Sequence, residues 1–144
     1  MATAQSILDR KGSDVATIDH NATVFDAARS MNERRIGALV VTSGDLAVGI
    51  FTERDILTRV VAGGLDPRSV QVGKVMTSPM ACCRRDTHLV ECKAVMSEKR
   101  IRHLPVVEDG KLYGMISSGD ILASESAAQQ ATIEYLHEYL YGRR

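Results

Sequence analysis

Gly49-Ile50-Phe51-Thr52-Glu53-Arg54-Asp55 and Gly114-Met115-Ile116-Ser117-Ser118-Gly119-Asp120 lie 65 residues apart and read alike. Each runs from a glycine through two apolar residues to a hydroxyl, then to an aspartate three positions later, and each continues as Ile-Leu. Around them the halves keep the same register. Met31, Glu33, Arg35, Ile36, Leu39, Val41, Gly49, Asp55, Ile56 and Leu57 meet Met96, Glu98, Arg100, Ile101, Leu104, Val106, Gly114, Asp120, Ile121 and Leu122. One small unit is written twice.

Each copy parses in the same order. Thr23 with Asp26, and Thr87 with Glu91, are predicted helix N-caps, followed by Val24, Ala27, Ala28 and Met31 in one copy and Val90, Ala94, Val95 and Met96 in the other. A strand follows, Ala38 to Thr42 and His103 to Val107, then the turn residues Ser43-Gly44-Asp45 and Glu108-Asp109-Gly110. Return strands over Val48 to Phe51 and Tyr113 to Ile116 lead straight into a second helix. The expected fold class is α/β (α+β), with a first unit over 10–64, a second over 70–124 and a C-terminal amphipathic helix within 125–144. A unit of about 60 residues buries too little surface to be robust alone. Two such units packed sheet to sheet about a pseudo-two-fold axis would cover each other's apolar faces, and clefts between packed units commonly hold ligands.

Composition narrows the function classes. The 144 residues carry 18 basic and 18 acidic side chains, with 44% apolar and 25% charged residues. That balance fits an ordinary globular protein and argues against a nucleic-acid binder, which needs a basic excess and stacking aromatics. No apolar run reaches the roughly 20 residues of a membrane span. The start, Met1 to Arg10, has neither a basic leader nor an apolar export core, and the odd cysteine count does not suggest a disulfide framework. A cytoplasmic, reduced protein is expected. Adjacent Cys82 and Cys83 would point to opposite faces of an extended chain, so no metal is expected from them with Cys92, His88 and His103. No nucleophile–base pair or phosphate-loop motif is present, so an enzyme is not expected.

The termini flank the repeat. Thr3 to Arg10 reads as a short helix closed by Lys11-Gly12, and Ser126 to Tyr141 as a longer one. In the latter, Ile133, Leu136 and Leu140 form an apolar stripe beside Tyr135, Tyr139 and Tyr141, which suits a homodimer contact.

With Val72-Gly73-Lys74-Val75-Met76-Thr77 before the second copy and His103-Leu104-Pro105-Val106-Val107 within it, the ordered set resembles a tandem pair of CBS domains over roughly residues 10 to 124. The resemblance implies a stand-alone regulatory pair that binds an adenosine nucleotide (AMP, ADP, ATP or NAD(H)) between the copies, often as a homodimer, with an unknown protein effector. It places Asp55 and Asp120 on ribose, Thr52 and Ser117 near ribose or phosphate, and the basic pair Arg102-His103 on phosphate. Arg54 is a further phosphate candidate, and Gly119 supplies no such charge, so the two sites are expected to differ. The adenine slot falls to Thr17, Ile18 and Ala38 in one copy and to Ala81, Cys82 and Pro105 in the other.

Simpler readings stand beside these. A hydroxyl followed by an acid three residues on is also a capping box, in which it only satisfies free backbone N–H groups. Arg102-His103 also fits an exposed strand edge, and Arg34, Arg35, Lys99 and Arg100 fit cations at helix C-termini. A ligand-free scaffold is the alternative function.

Overall fold

The computed structural model describes residues 1–126, so the tyrosine-bearing helix expected over 126–141 lies outside the described residues apart from Ser126. The chain runs α1 (Ala4–Lys11), β1 (Thr17–Asp19), α2 (Val24–Arg34), β2 (Ala38–Ser43), β3 (Leu46–Thr52) and α3 (Glu53–Asp55), which continues as a π-helical segment, Ile56–Val61. Then come α4 (Val72–Val75), α5 (Leu89–Lys99), β4 (His103–Glu108), β5 (Lys111–Ser117) and α6 (Ser118–Ser126). The mixed α+β reading and the duplicated hairpins are as the sequence predicts.

Both first helices end alike. α2 starts at Thr23, whose Oγ1 accepts the Asp26 N–H at 3.1 Å. It buries Val24, Ala27 and Met31 and stops at Arg35 in the left-handed region (φ 55°, ψ 47°). α5 buries Leu89, Cys92 and Met96 and stops at Arg100 with φ 56°, ψ 47°. The N–H groups of Ile36 and Ile101 then close back on Met31 and Met96, each at 3.0 Å, as in a helix end sealed by a left-handed residue. Thr87 departs from its expected role: its Oγ1 accepts from the Arg84 N–H at 2.9 Å, fixing a turn instead. α5 therefore begins one residue later, after His88, whose side chain caps nothing.

In the first unit β2 pairs antiparallel with β3, and β1 adds parallel to β2. In the second unit β4 pairs antiparallel with β5, and a single parallel bridge from Cys83 to Val106 stands where β1 would. The sheets meet along β3 and β5, where the Ala47 N–H donates to the Gly110 carbonyl at 2.9 Å. Each unit has its own core. Leu39, Val41 and Phe51 centre the first, and Leu104, Val106 and Ile116 the second, all fully buried.

The segment preceding each copy packs on the other copy. Val72 and Val75 of α4, which the sequence places at the head of the second unit, sit in the first core. Ala4, Ile7 and Leu8 of α1, which precede the first unit, sit in the second. The repeated glycines allow this exchange. A Cβ on Gly49 would lie 2.6 Å from Met76 Sδ, and one on Gly114 would lie 2.5 Å from Leu8 Cδ2. Backbone bridges complete the symmetry, Thr23 with Gln71 and His88 with Thr3. At about 1.5–3 kcal/mol for each fully buried aliphatic side chain, these crossings tie the units together.

Candidate functional site

A cleft of about 640 Å³ opens at the strand-to-helix corner of the first unit and takes its walls from both units. Thr52, Arg54 and Asp55 come from that corner, where β3 delivers the chain directly into α3. Met80 and Ala81 come from the extended segment after α4, and Arg102 and His103 from the start of β4. Ile50 and Ile101 add apolar wall. The first copy's hydroxyl–carboxylate motif thus faces the second copy's basic pair. Thr52, Arg54, Asp55, Arg102, His103 and Ala81, all nominated from sequence, line this one space.

Asp55 is held from several sides. Its Oδ2 accepts the Thr52 N–H at 3.0 Å and the Thr52 hydroxyl at 3.2 Å, while Thr52 Oγ1 accepts the Asp55 N–H at 3.3 Å. The Thr77 hydroxyl donates to Asp55 Oδ1 at 2.9 Å, and Arg59 Nε lies 3.5 Å from the same oxygen. Arg59 is itself anchored on the Met76 carbonyl at 3.1 Å. The residue is only 4% exposed. A carboxylate offers about four acceptor directions, so one remains for a ligand hydroxyl. A ribose diol binding both oxygens would require the Thr52 hydroxyl to turn away from Oδ2.

Asp120 occupies a different environment. Its Oδ2 accepts the Ser117 N–H at 2.8 Å and pairs with Lys11 Nζ at 2.7 Å, and Ser117 Oγ accepts the Asp120 N–H at 3.1 Å. Burial alone would raise the Asp120 pKa, but Lys11 and the Ser117 bonds outweigh it and hold the group below the ordinary carboxylate value. Lys11 thus stands against Asp120 as Thr77 stands against Asp55. Both partners come from the exchanged segments, and the sequence reading gave neither a role at the corner. Thr77 does close the quoted Val72-to-Thr77 motif, which was the available signal; Lys11 carried none.

Of the expected adenine positions only Ala81 lines this cleft. Pro105 is fully buried, and its carbonyl accepts the Cys83 N–H at 2.9 Å. Cys82 is exposed. Thr17 and Ile18 belong to β1, with Ile18 packed on the first core, and buried Ala38 opens β2 opposite Thr52. Those three, with Ser117 and Asp120, lie outside this cleft.

Charge is concentrated in its walls. Lys99 and Arg100 join Arg54 and Arg102 there, beyond their expected role at a helix C-terminus. None of the four has an ion-pair partner among the described residues. His103 differs from them: burial lowers its pKa, with Arg102 and Lys11 adding to the effect. At neutral pH it offers an uncharged imidazole rather than the second cation of a basic pair.

The cysteines are free thiols, Cys82 exposed, Cys83 and Cys92 buried. Contact with Cys92, together with burial, drives the Cys83 thiol far above its ordinary pKa. Among the described residues no group of His, Cys, Asp and Glu is placed to hold a metal ion, and no helix is long and apolar enough to cross a membrane.

Comparison with known proteins agrees with this fold. The mitochondrial CBS domain-containing protein CBSX3 of Arabidopsis thaliana is 33% identical over 125 residues, 83% of this chain and 61% of that protein. The chain spans only 25% and 24% of the longer Arabidopsis relatives CBSCBSPB2 and CBSCBSPB3. The solved structure of a protein with CBS domains from Burkholderia ambifaria superposes with a TM-score of 0.83 at 40% identity, covering 89% of this chain and 96% of that one. A hexameric CBS-CP12 protein from bloom-forming cyanobacteria gives a TM-score of 0.72 at 32% identity, over 88% and 75% of the two chains. The CBS domain itself matches twice, at residues 7–62 and 72–126. This chain, with its hydroxyl–carboxylate corner repeated on two interlocked hairpins, belongs to the CBS-domain family as a tandem pair.

Proposed function

We propose that the chain is a regulatory module that binds an adenosine nucleotide (AMP, ADP, ATP or NAD(H)) in the cleft between its two units and passes the resulting conformational change to a protein effector. One observation carries this reading. The first unit's Thr52–Asp55 corner and the second unit's Arg102 border one space with an apolar wall at Ile50, Ala81 and Ile101. A hydroxyl–carboxylate corner, guanidinium groups and an apolar wall share one space, a combination that suits the ribose, phosphate and adenine of a nucleotide. Because the walls belong to both units, a ligand that grips both favours one relation between them, which is how differential affinity becomes a signal.

Assembly fits the same reading. Leu57 and Leu122, equivalent by the repeat, are 62% and 65% exposed, and a related CBS-CP12 protein is hexameric. A homodimer that covers these leucines, located in the cytoplasm and acting by binding rather than catalysis, is the expected working form.

Calorimetric titration of the purified chain with AMP, ADP, ATP, NAD+ and NADH tests the reading. Saturable heat with at least one nucleotide, weakened by Asp55→Ala, is expected. A flat response to all five would leave the ligand-free scaffold as the better account.

A further inference from the structure

We infer that the cleft is built for a polyphosphate chain, so that a nucleoside triphosphate binds it far more tightly than a monophosphate. The inference rests on the nucleotide reading of the same cleft and names the ligand class within it. Arg54 projects from the first unit; Lys99, Arg100 and Arg102 project from the second. The acidic groups in the walls are Glu53 and Asp55, and Asp55 already faces Arg59 at 3.5 Å. The four cations therefore outnumber the two acids in the walls, in a chain whose basic and acidic residues balance at 18 each. Four like charges around one space repel one another, and this arrangement is relieved by an anion that reaches several of them at once.

The internal repeat supplies the control. Shifted by 65 residues, Arg54 corresponds to Gly119 and Arg102 to Gly37, whereas Lys99 and Arg100 correspond to Arg34 and Arg35. The cations at the helix C-termini are thus common to both copies and belong to the fold. Arg54 and Arg102 are particular to this cleft, and they approach it from opposite units. A single phosphate contacts one such group; a chain of phosphates can lie across both. Guanidinium groups suit that task because they bind phosphate oxygens in pairs.

The test uses the full chain in magnesium-free buffer, titrated with ATP, AMP, adenosine, inorganic phosphate and inorganic tripolyphosphate. ATP is expected to bind at least roughly tenfold more tightly than AMP, the scale of one charge-assisted hydrogen bond. Tripolyphosphate should compete with ATP where inorganic phosphate does not. In Arg54→Ala/Arg102→Ala, checked for an unchanged melting temperature, the ATP-to-AMP ratio should fall towards one. Equal affinity for ATP and AMP overturns the inference and leaves the nucleotide reading standing, as does a ratio unchanged in the double variant. Arginine-dependent tripolyphosphate binding that ATP does not exceed supports the polyphosphate assignment and removes the nucleotide reading. Absence of binding by every probe defeats both.

Discussion

The Thr77 hydroxyl donates to Asp55 Oδ1 at 2.9 Å across 22 residues of sequence, joining the segment that precedes the second copy to the strand-to-helix corner of the first. The equivalent carboxylate, Asp120, is met instead by Lys11 at 2.7 Å. The segment ahead of the other copy therefore supplies a neutral donor to one carboxylate and a cation to the other. This difference adds to that between Arg54 and Gly119 within the motifs in making the two corners chemically unequal.

Thr77→Val removes a hydrogen bond to a carboxylate that is nearly inaccessible to water. Loss of such a charge-assisted bond costs about 1.5–3 kcal/mol. Urea denaturation should show a lower midpoint which, multiplied by a nearly unchanged slope, gives a loss of that size. A loss below a few tenths would mean that Thr77 does not restrain Asp55.

Lys11→Met should behave differently. The pair is half open to solvent, at 39% and 25% side-chain exposure, and a solvent-screened pair contributes about 0–1 kcal/mol. The clearer effect is on titration. Asp120 has a folded-state pKa below its ordinary value, so its contribution is present above that value and is lost as pH falls through the folded pKa. With Lys11 replaced, burial acts against fewer opposing bonds, and the Asp120 pKa should rise. Carboxyl-carbon NMR titration of both forms measures this; an unmoved pKa would show that Lys11 does not pair with Asp120 in solution.

Glu108 sets part of the acid limit. Arg85 grips its carboxylate through Nε at 2.7 Å, Nη2 at 3.2 Å and the backbone N–H at 2.9 Å. The Arg85 side-chain and backbone bonds lower the Glu108 pKa to about 2. Its contribution is complete above the ordinary glutamate value and disappears as pH falls towards that lowered pKa. Glu108→Gln should lower the melting temperature at neutral pH, and the gap from wild type should narrow steadily on acidification. A gap independent of pH would contradict the assignment.

How much of this was legible in the sequence follows from what each signal reports. Strand–turn–strand patterning and the Thr52 and Ser117 corners depend on neighbours a few residues away, so they could be read directly. The partner of an apolar stripe is set by tertiary packing, so Ile7 and Leu8 gave no sign that they would fill the second core. The same holds for Val72 and Val75 in the first. Thr87 failed as a cap because a nearer N–H, that of Arg84, claimed its hydroxyl. Lys99 and Arg100 have the composition of a helix terminus, and only the three-dimensional path of α5 brings them to the cleft.

Leu8→Ala tests the exchange of segments. Leu8 is 5% exposed and belongs to the second core, so truncation should cost about 2–5 kcal/mol. Hydrogen exchange should show the loss of protection mainly in β4, β5 and α5, although the substitution lies ahead of the first copy. Loss confined to β2 and β3 would place α1 on the wrong unit.

The most direct test of the central claim is amide NMR of the full chain during titration with ATP. The account predicts saturable shift changes that develop together at Thr52–Asp55 in the first unit and at Ala81, Arg102 and His103 in the second, reporting one ligand gripped by both. Changes in one unit alone, or none as ATP is raised, would contradict it.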